Sequence, residues 1–486
     1  MAYKHGVFVS EVPTSVSPPV RVSAGLPVVV GTAPINLAAT QDYVNKPLLA
    51  YTYQEAVNAL GYSIDWAGYT LCEFIKSHFQ LFTVAPVVFI NVLDPATHKT
   101  SVVAESVTLN SAGQATLDNK GVLLSSVVVK SSDGVMTHVK DADYTLGFDD
   151  EGSAVITRIA SGAIAAGAEL QVDYEHLNPS SVTNTQIIGG VDGSTGAVTG
   201  LELVNQVFPL FRLVPGQILA PGWSQDPTVA AVMKAKAGNI NGLFKAIAVT
   251  DADSADTDAD LYTEVPAWKN TNNYTDSLQV VCWPKVRLGE EEYFLSTQFA
   301  GLTCKTDGEN DDIPYVSPSN KSLQADGAVI ASGTEVSLDP TQGAYLNGEG
   351  IVTALNFIGG WKLWGNRTGA YPANTDVKDT FIPVRRMFNW VGNTVILTYW
   401  QHVDDPTNRR LIDTVVDSLN IWLNGLTARG ALLGGRVEFR ADDNPTTDLL
   451  NGVVRFHVLL TPPTPAEDME FTLEFDANNL SALFAA

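Results

Sequence analysis

The sequence predicts an α/β core, interrupted by a small all-β module and flanked at both ends by strand-forming arms. Three observations carry that prediction. Compact apolar runs alternate with helically spaced segments between Leu26 and Leu93. Residues 101–188 hold only short β candidates, punctuated by Gly, Asp, Asn and Ser. Each end of the chain sets a short strand apart from the body by a proline-rich connector.

In chain order, Gly6-Val-Phe-Val-Ser-Glu-Val-Pro13 reads as a β segment, and Thr14 to Pro19 is stiffened by Pro and Ser. A strand this short cannot bury both faces in a local hairpin. It must join a sheet supplied elsewhere, either the edge of its own domain or that of another copy. Leu26-Pro-Val-Val-Val-Gly-Thr-Ala33 and Ala85-Pro-Val-Val-Phe-Ile-Asn-Val-Leu93 are continuous apolar runs, the pattern of strands covered on both faces. Between them, Leu71, Phe74, Ile75, His78 and Phe79 share one helical face.

After the β module, the α/β rhythm resumes. Gly200 to Val207 and Pro227 to Gly238 read as helices, while Ile218-Leu-Ala220, Ala246 to Thr250 and Leu278 to Trp283 read as strands. A helix is expected over Glu290 to Cys304, and β signals over Leu355 to Ile358, Gly360 to Trp364 and Val395 to Tyr399. Thr407 to Gly425 is the most periodic helix, with Leu411, Val415, Leu419 and Leu423 one turn apart. Two β segments close the chain, Gly452 to Leu460 and Met469 to Phe475, separated by Thr461-Pro-Pro-Thr-Pro465.

At 486 residues the chain exceeds the roughly 250–300 at which one core stops growing. The expected division is an N-terminal arm at 1–25, a core in two parts at 26–100 and 189–460, an inserted β domain at 101–188, and a C-terminal arm at 461–486. The second part of the core includes a C-terminal α/β region. Insertions go most readily into exposed loops, so the β domain should project outward.

With 29 basic against 53 acidic residues and a net charge of -24, the field repels nucleic acid phosphates. Charged residues are only 17 % of the chain, which suits a protein that covers much of itself with neighbours. Cys72, Cys282 and Cys304 are too scattered to bracket zinc and read as reduced, buried small hydrophobes. No amino-terminal stretch has the basic start and apolar run of a signal peptide. Apolar runs such as Leu81 to Val92 stop well short of the roughly 20 residues a membrane span needs.

Several stretches together resemble the tail sheath proteins of contractile bacteriophages, especially the P2-like branch, and of related contractile injection machines. They are Gly189-Gly-Val-Asp-Gly-Ser-Thr-Gly196, Phe211 to Gly222, Trp283-Pro284, Val316-Ser-Pro-Ser-Asn-Lys321, Tyr345-Leu-Asn-Gly-Glu-Gly-Ile351, Leu363-Trp-Gly-Asn-Arg-Thr368 and Arg385-Arg386. Their order and spacing carry the likeness.

The resemblance implies a subtilisin-like core domain. It also implies a virion tail subunit, assembled in the host cytoplasm, that stacks in hexameric rings around an inner tail tube between baseplate and tail terminator proteins. The arms would donate strands to neighbouring copies. Val7 and Val9 would present one face and Phe8 the other at the amino end, with Phe471, Leu473 and Phe475 pointing into a neighbour at the carboxy end. The competing readings are a non-contractile tube or baseplate component and, more distantly, a hydrolase with a decayed site.

No catalytic constellation stands out. Neither His78 nor His402 lies beside the glycines expected around a subtilisin-type base, and there is no Gly-x-Ser-x-Gly elbow. The acidic runs Asp149 to Glu151, Asp251 to Asp260 and Glu290 to Glu292 read as solvated loops; the alternation within Asp251 to Asp260 lacks the central Gly and closing Glu of a calcium loop. Gly189 to Gly196 has no following Lys-Ser/Thr and is read as a tight turn, not a phosphate loop. Neither a cofactor nor a metal is expected, and no direct membrane insertion. Trp361, Trp364, Trp390, Trp400 and Trp422 fit core or interface packing better than a sugar platform. In so acidic a chain, Arg367, Arg385 and Arg386 should be paired with carboxylates, either within the domain or at an inter-subunit or sheath–tube contact. Arg429 and Arg436, flanking Gly430 to Gly435, are the corresponding candidates for facing an acidic tube.

Overall fold

The structure, a computed structural model, describes residues 24–255 and 258–484; Val7, Phe8 and Val9 lie outside the described residues. The apolar runs form a central eight-stranded sheet. Its order is Trp361–Trp364, Ile351–Asn356, Gln279–Cys282, Ile247–Asp251, Gln217–Leu219, Pro27–Gly31, Val87–Asn91 and Pro47–Ala50. The six inner strands are parallel, and each outermost strand pairs antiparallel with its neighbour.

Side chains alternate across this sheet, and both faces are covered, which is why its strands read as unbroken apolar runs. Val28 and Val30 enter one core while Val29 enters the other; Val88 and Ile90 oppose Val87 and Phe89 in the same way. Helices Thr70–Lys76 and Leu295–Gly308 cover one face. Pro227–Gly238, Ile382–Tyr399 and Arg409–Ala428 cover the other.

Between strand Val87–Asn91 and helix Asn184–Ile188, six strands form two three-stranded antiparallel sheets around a separate apolar core. One of them, Gln114–Lys120, is missing from the sequence reading because only Ala115 and Leu117 point inward. Two further expectations are corrected. Val395 to Tyr399 is no strand but the last turn of helix Ile382–Tyr399, where Pro383 in the first turn and buried Met387, Trp390, Val391 and Thr394 set a helical face that outweighs β-branching. The helix expected from Glu290 begins only at Leu295, because Glu291–Tyr293 pairs as a short strand with Lys285–Leu288.

The expected subtilisin-like core is corrected as well. In α/β sheets, reactive groups gather beyond the carboxyl ends of the strands. Here that edge is filled. Asp251 ends its strand buried; its Oδ1 accepts from the Ser296 N–H at 2.9 Å and its Oδ2 from the Ser224 hydroxyl at 3.4 Å. Glu73, also buried, accepts from the Phe294 N–H at 2.8 Å. Both carboxyls therefore close the amino end of helix Leu295–Gly308, packed away from any substrate. His78 is buried against Phe74 with neither ring nitrogen hydrogen-bonded, and burial lowers it to about 3. It is no general base.

Burial outweighs the helix-end hydrogen bonds and pushes Glu73 up to about 8 from an ordinary 4.5. An acid raised in the folded state favours folding below its unfolded value and loses that contribution as pH rises through the folded one. The melting temperature is therefore expected to fall between pH 5 and pH 9, and Glu73→Gln to remove most of the fall. Parallel thermal melts of the two proteins check this; equal slopes would contradict it.

Candidate assembly surface

The carboxy-terminal region is docked on the core by a polar seam. Arg386, Asn389 and Asn393 lie at intervals of three and four along helix Ile382–Tyr399, so they share one face. Arg386, 3 % exposed, meets Asp307 through two hydrogen bonds, Nη1 to Oδ1 at 3.0 Å and a shorter one from Nη2 to Oδ2. Asn389 donates to the Ala246 carbonyl at 3.0 Å. Asn393 donates to the Lys245 carbonyl at 2.8 Å and accepts from the Lys245 N–H at 3.0 Å. Ala246 leads directly into strand Ile247–Asp251, so the seam fastens this helix to the beginning of the sheet. Burial raises the Asp307 carboxyl, and the Arg386 guanidinium opposes that shift.

Helix Arg409–Ala428 starts where the Asn408 side chain accepts from the Leu411 N–H at 3.0 Å, and it buries Val415, Leu419, Leu423 and Leu426. Against it lies an isolated two-stranded antiparallel sheet, Gly434–Glu438 with His457–Thr461. One outer edge is occupied in part by the Asn420 amide, which donates to the Val437 carbonyl at 3.2 Å and accepts from its N–H at 2.9 Å. The other, His457–Thr461, pairs with no third strand among the described residues.

Three of the stretches singled out in the sequence converge on a groove of ≈ 650 Å³ at the Trp361–Trp364 side of the sheet. Residues of all three line it, among them Ser317, Asn320, Asn347, Trp364, Asn366 and Arg367. Pro465 to Glu467 and Met469 of the carboxy-terminal connector line it too. Arg367 stands in this groove, its guanidinium between the Tyr371 and Phe381 rings at 4.4 and 3.8 Å and hydrogen-bonded to Glu467. Beyond the groove the chain forms no strand from Met469 to Phe475. Met469, Phe471, Leu473 and Phe475 are 71, 82, 94 and 80 % exposed.

The sequence-selected residues thus fall into three sets. Arg367, Arg385 and Arg386 are paired inside the chain, with Glu467, Asp379 and Asp307. Arg429 and Arg436 are exposed on either side of the loop before the small sheet, paired with Asp311 and Glu438. Phe471, Leu473 and Phe475 extend freely. Sequence reasoning missed Asn420, which carries no local signal, and Glu467. The acidic Glu467-Asp468 directly after the proline run was the available clue to a basic partner.

Known proteins give this surface its context. No family model matches the chain. The tail sheath protein of Burkholderia phage BcepMu is 30 % identical, covering 99 % of this chain and 98 % of that one. A putative prophage major tail sheath protein of Pseudomonas aeruginosa is 26 % identical over 70 % of this chain and 84 % of its own length. Among solved structures, the contracted sheath of the PVC extracellular contractile injection system aligns over 99 % of both chains, with a TM-score of 0.57 and 14 % identity. The contracted helical sheath of the anti-feeding prophage aligns over 98 % of this chain and 100 % of that one, with a TM-score of 0.57 and 16 % identity. These matches overturn the subtilisin-like expectation, because the architecture shared along the whole chain is that of contractile sheaths. This chain belongs to the tail sheath proteins and is a structural subunit of a contractile tail sheath, not an enzyme.

Proposed function

We propose that strand exchange stitches copies of this chain into a continuous lattice, with residues 469–475 of one copy adding to the His457–Thr461 edge of another. One observation carries this reading. Apolar Met469, Phe471, Leu473 and Phe475 alternate with Glu470, Thr472 and Glu474, so an extended segment has a single apolar face that no sheet among the described residues covers. Main-chain hydrogen bonds along a sheet edge supply affinity, and alternate side chains fix the register. In the same reading, Val7, Phe8 and Val9 form the second donated strand.

The lattice is a stack of hexameric rings around an inner tail tube, joined to a baseplate at one end and a tail terminator at the other. It is assembled in the host cytoplasm. A chain in the six-fold symmetrised baseplate structure of the anti-feeding prophage aligns over 98 % of this one, which supports the baseplate contact. The exposed Arg429 and Arg436 are the tube-facing cations, and Arg367, Arg385 and Arg386 hold the body together. Contraction rearranges rigid domains between two packings while the strands at both ends stay paired, and it consumes no nucleotide. Purified protein viewed by electron microscopy is expected to form tubes built of six-fold rings. A chain that stays monomeric at every concentration and salt condition would refute the lattice.

A further inference from the structure

We propose that Arg367 is a latch for the carboxy-terminal connector, binding the Glu467 carboxylate and fixing the point from which the arm leaves the body. Its consequence for assembly rests on the strand-exchange reading, but the latch itself is a property of the single chain.

The socket around Arg367 is built from residues other than Glu467. Arg367 and Phe381 form a β-bridge, and Nη1 donates to the Thr380 hydroxyl at 3.4 Å. The Tyr371 and Phe381 rings lie close to the guanidinium, so what remains for a ligand is its hydrogen-bonding edge. Nε and Nη2 on that edge both donate to Glu467 Oε2, at 3.0 and 2.6 Å. Two charge-assisted bonds on a preorganised, stacked guanidinium hold better than an ordinary surface pair, in which a flexible lysine would have to be immobilised. The connector is equally suited. Pro462 is buried, Pro463 and Pro465 are half-buried, and a proline run delivers Glu467 with little conformational freedom left to lose.

The latch sets the length of the arm. From Glu467 to Phe475 is eight residues, a reach of about 28 Å when fully extended. Releasing Glu467 frees the five further residues back to Pro462 and adds about 17 Å. A latched arm therefore selects near acceptor edges, and an unlatched arm follows a neighbour that moves away.

Limited digestion of the full chain by proteinase K, held below its polymerisation threshold, tests this directly. Glu467→Gln keeps the size and removes the charge at a surface position, so the body stays folded. It is expected to speed cleavage between 464 and 470 about 5-fold, with the central sheet uncut. Arg367→Lys, which retains charge but not the two-bond edge, is expected to fall between native and Glu467→Gln. Equal cleavage rates in native protein and Glu467→Gln would overturn the latch. Strand exchange fails by a different result, normal polymers from a chain ending at residue 468, so the two ideas stand or fall separately.

Discussion

Replacing Phe471, Leu473 and Phe475 together with Glu is expected to abolish sheath polymers while leaving the melting temperature of the body unchanged. Burying three large apolar side chains contributes about 5–9 kcal/mol per arm. Ordering an extended segment costs about 1–2 kcal/mol per residue in backbone freedom, which main-chain pairing along the edge has to offset. Without the apolar term the balance turns against docking, and three added carboxylates beside Glu470 and Glu474 make it worse. The body should not respond, because all three side chains are at least 80 % exposed on their own chain. Sedimentation and thermal melts of the triple variant read both outcomes. Polymers in native yield would refute the arm's role.

Arg386→Ala is expected to be the most damaging single substitution among the basic residues, costing about 3–5 kcal/mol. It strands the Asp307 carboxylate, 3 % exposed, without its partner and removes the anchor of the seam that docks helix Ile382–Tyr399. Replacing both partners with apolar side chains, Arg386→Met with Asp307→Leu, should recover most of the loss, since no buried charge is then left unpaired. By contrast, Arg429→Ala and Arg436→Ala should each change stability by less than about 0.5 kcal/mol, because both pairs are solvent-exposed. Denaturant melts of the four variants supply the comparison. An Arg386→Ala loss below about 1 kcal/mol would mean that the seam does not hold the region.

What could be read from the chain, and what could not, follows from the range of the interactions. Val28 to Val30 and Val87 to Ile90 announce covered strands because burial on both faces leaves no polar position to break the run. The alternation from Met469 to Phe475 is equally local. Long-range pairings leave no such trace: Arg386 meets Asp307 across 79 positions and Arg367 meets Glu467 across 100. The Asn420 amide that occupies a sheet edge is one unremarked residue of an amphipathic helix. Val395 to Tyr399 misled because β-branched residues satisfy a helix when the preceding turns already present a buried face. The subtilisin-like expectation failed for a related reason. It came from the family resemblance, while the residues themselves specify a layered sheet but not what stands beyond its carboxyl edge, where Glu73 and Asp251 are buried as helix-end acceptors.

The central claim is that the edge left open in one copy is completed by the arm of another. A cryo-electron microscopy map of the polymer, resolved well enough to trace chain connectivity, tests it most directly. The map should show residues 469–475 as a third strand on His457–Thr461, entering from a different copy. An arm folded back on its own body, or a small sheet still two-stranded in the assembled lattice, would contradict the account.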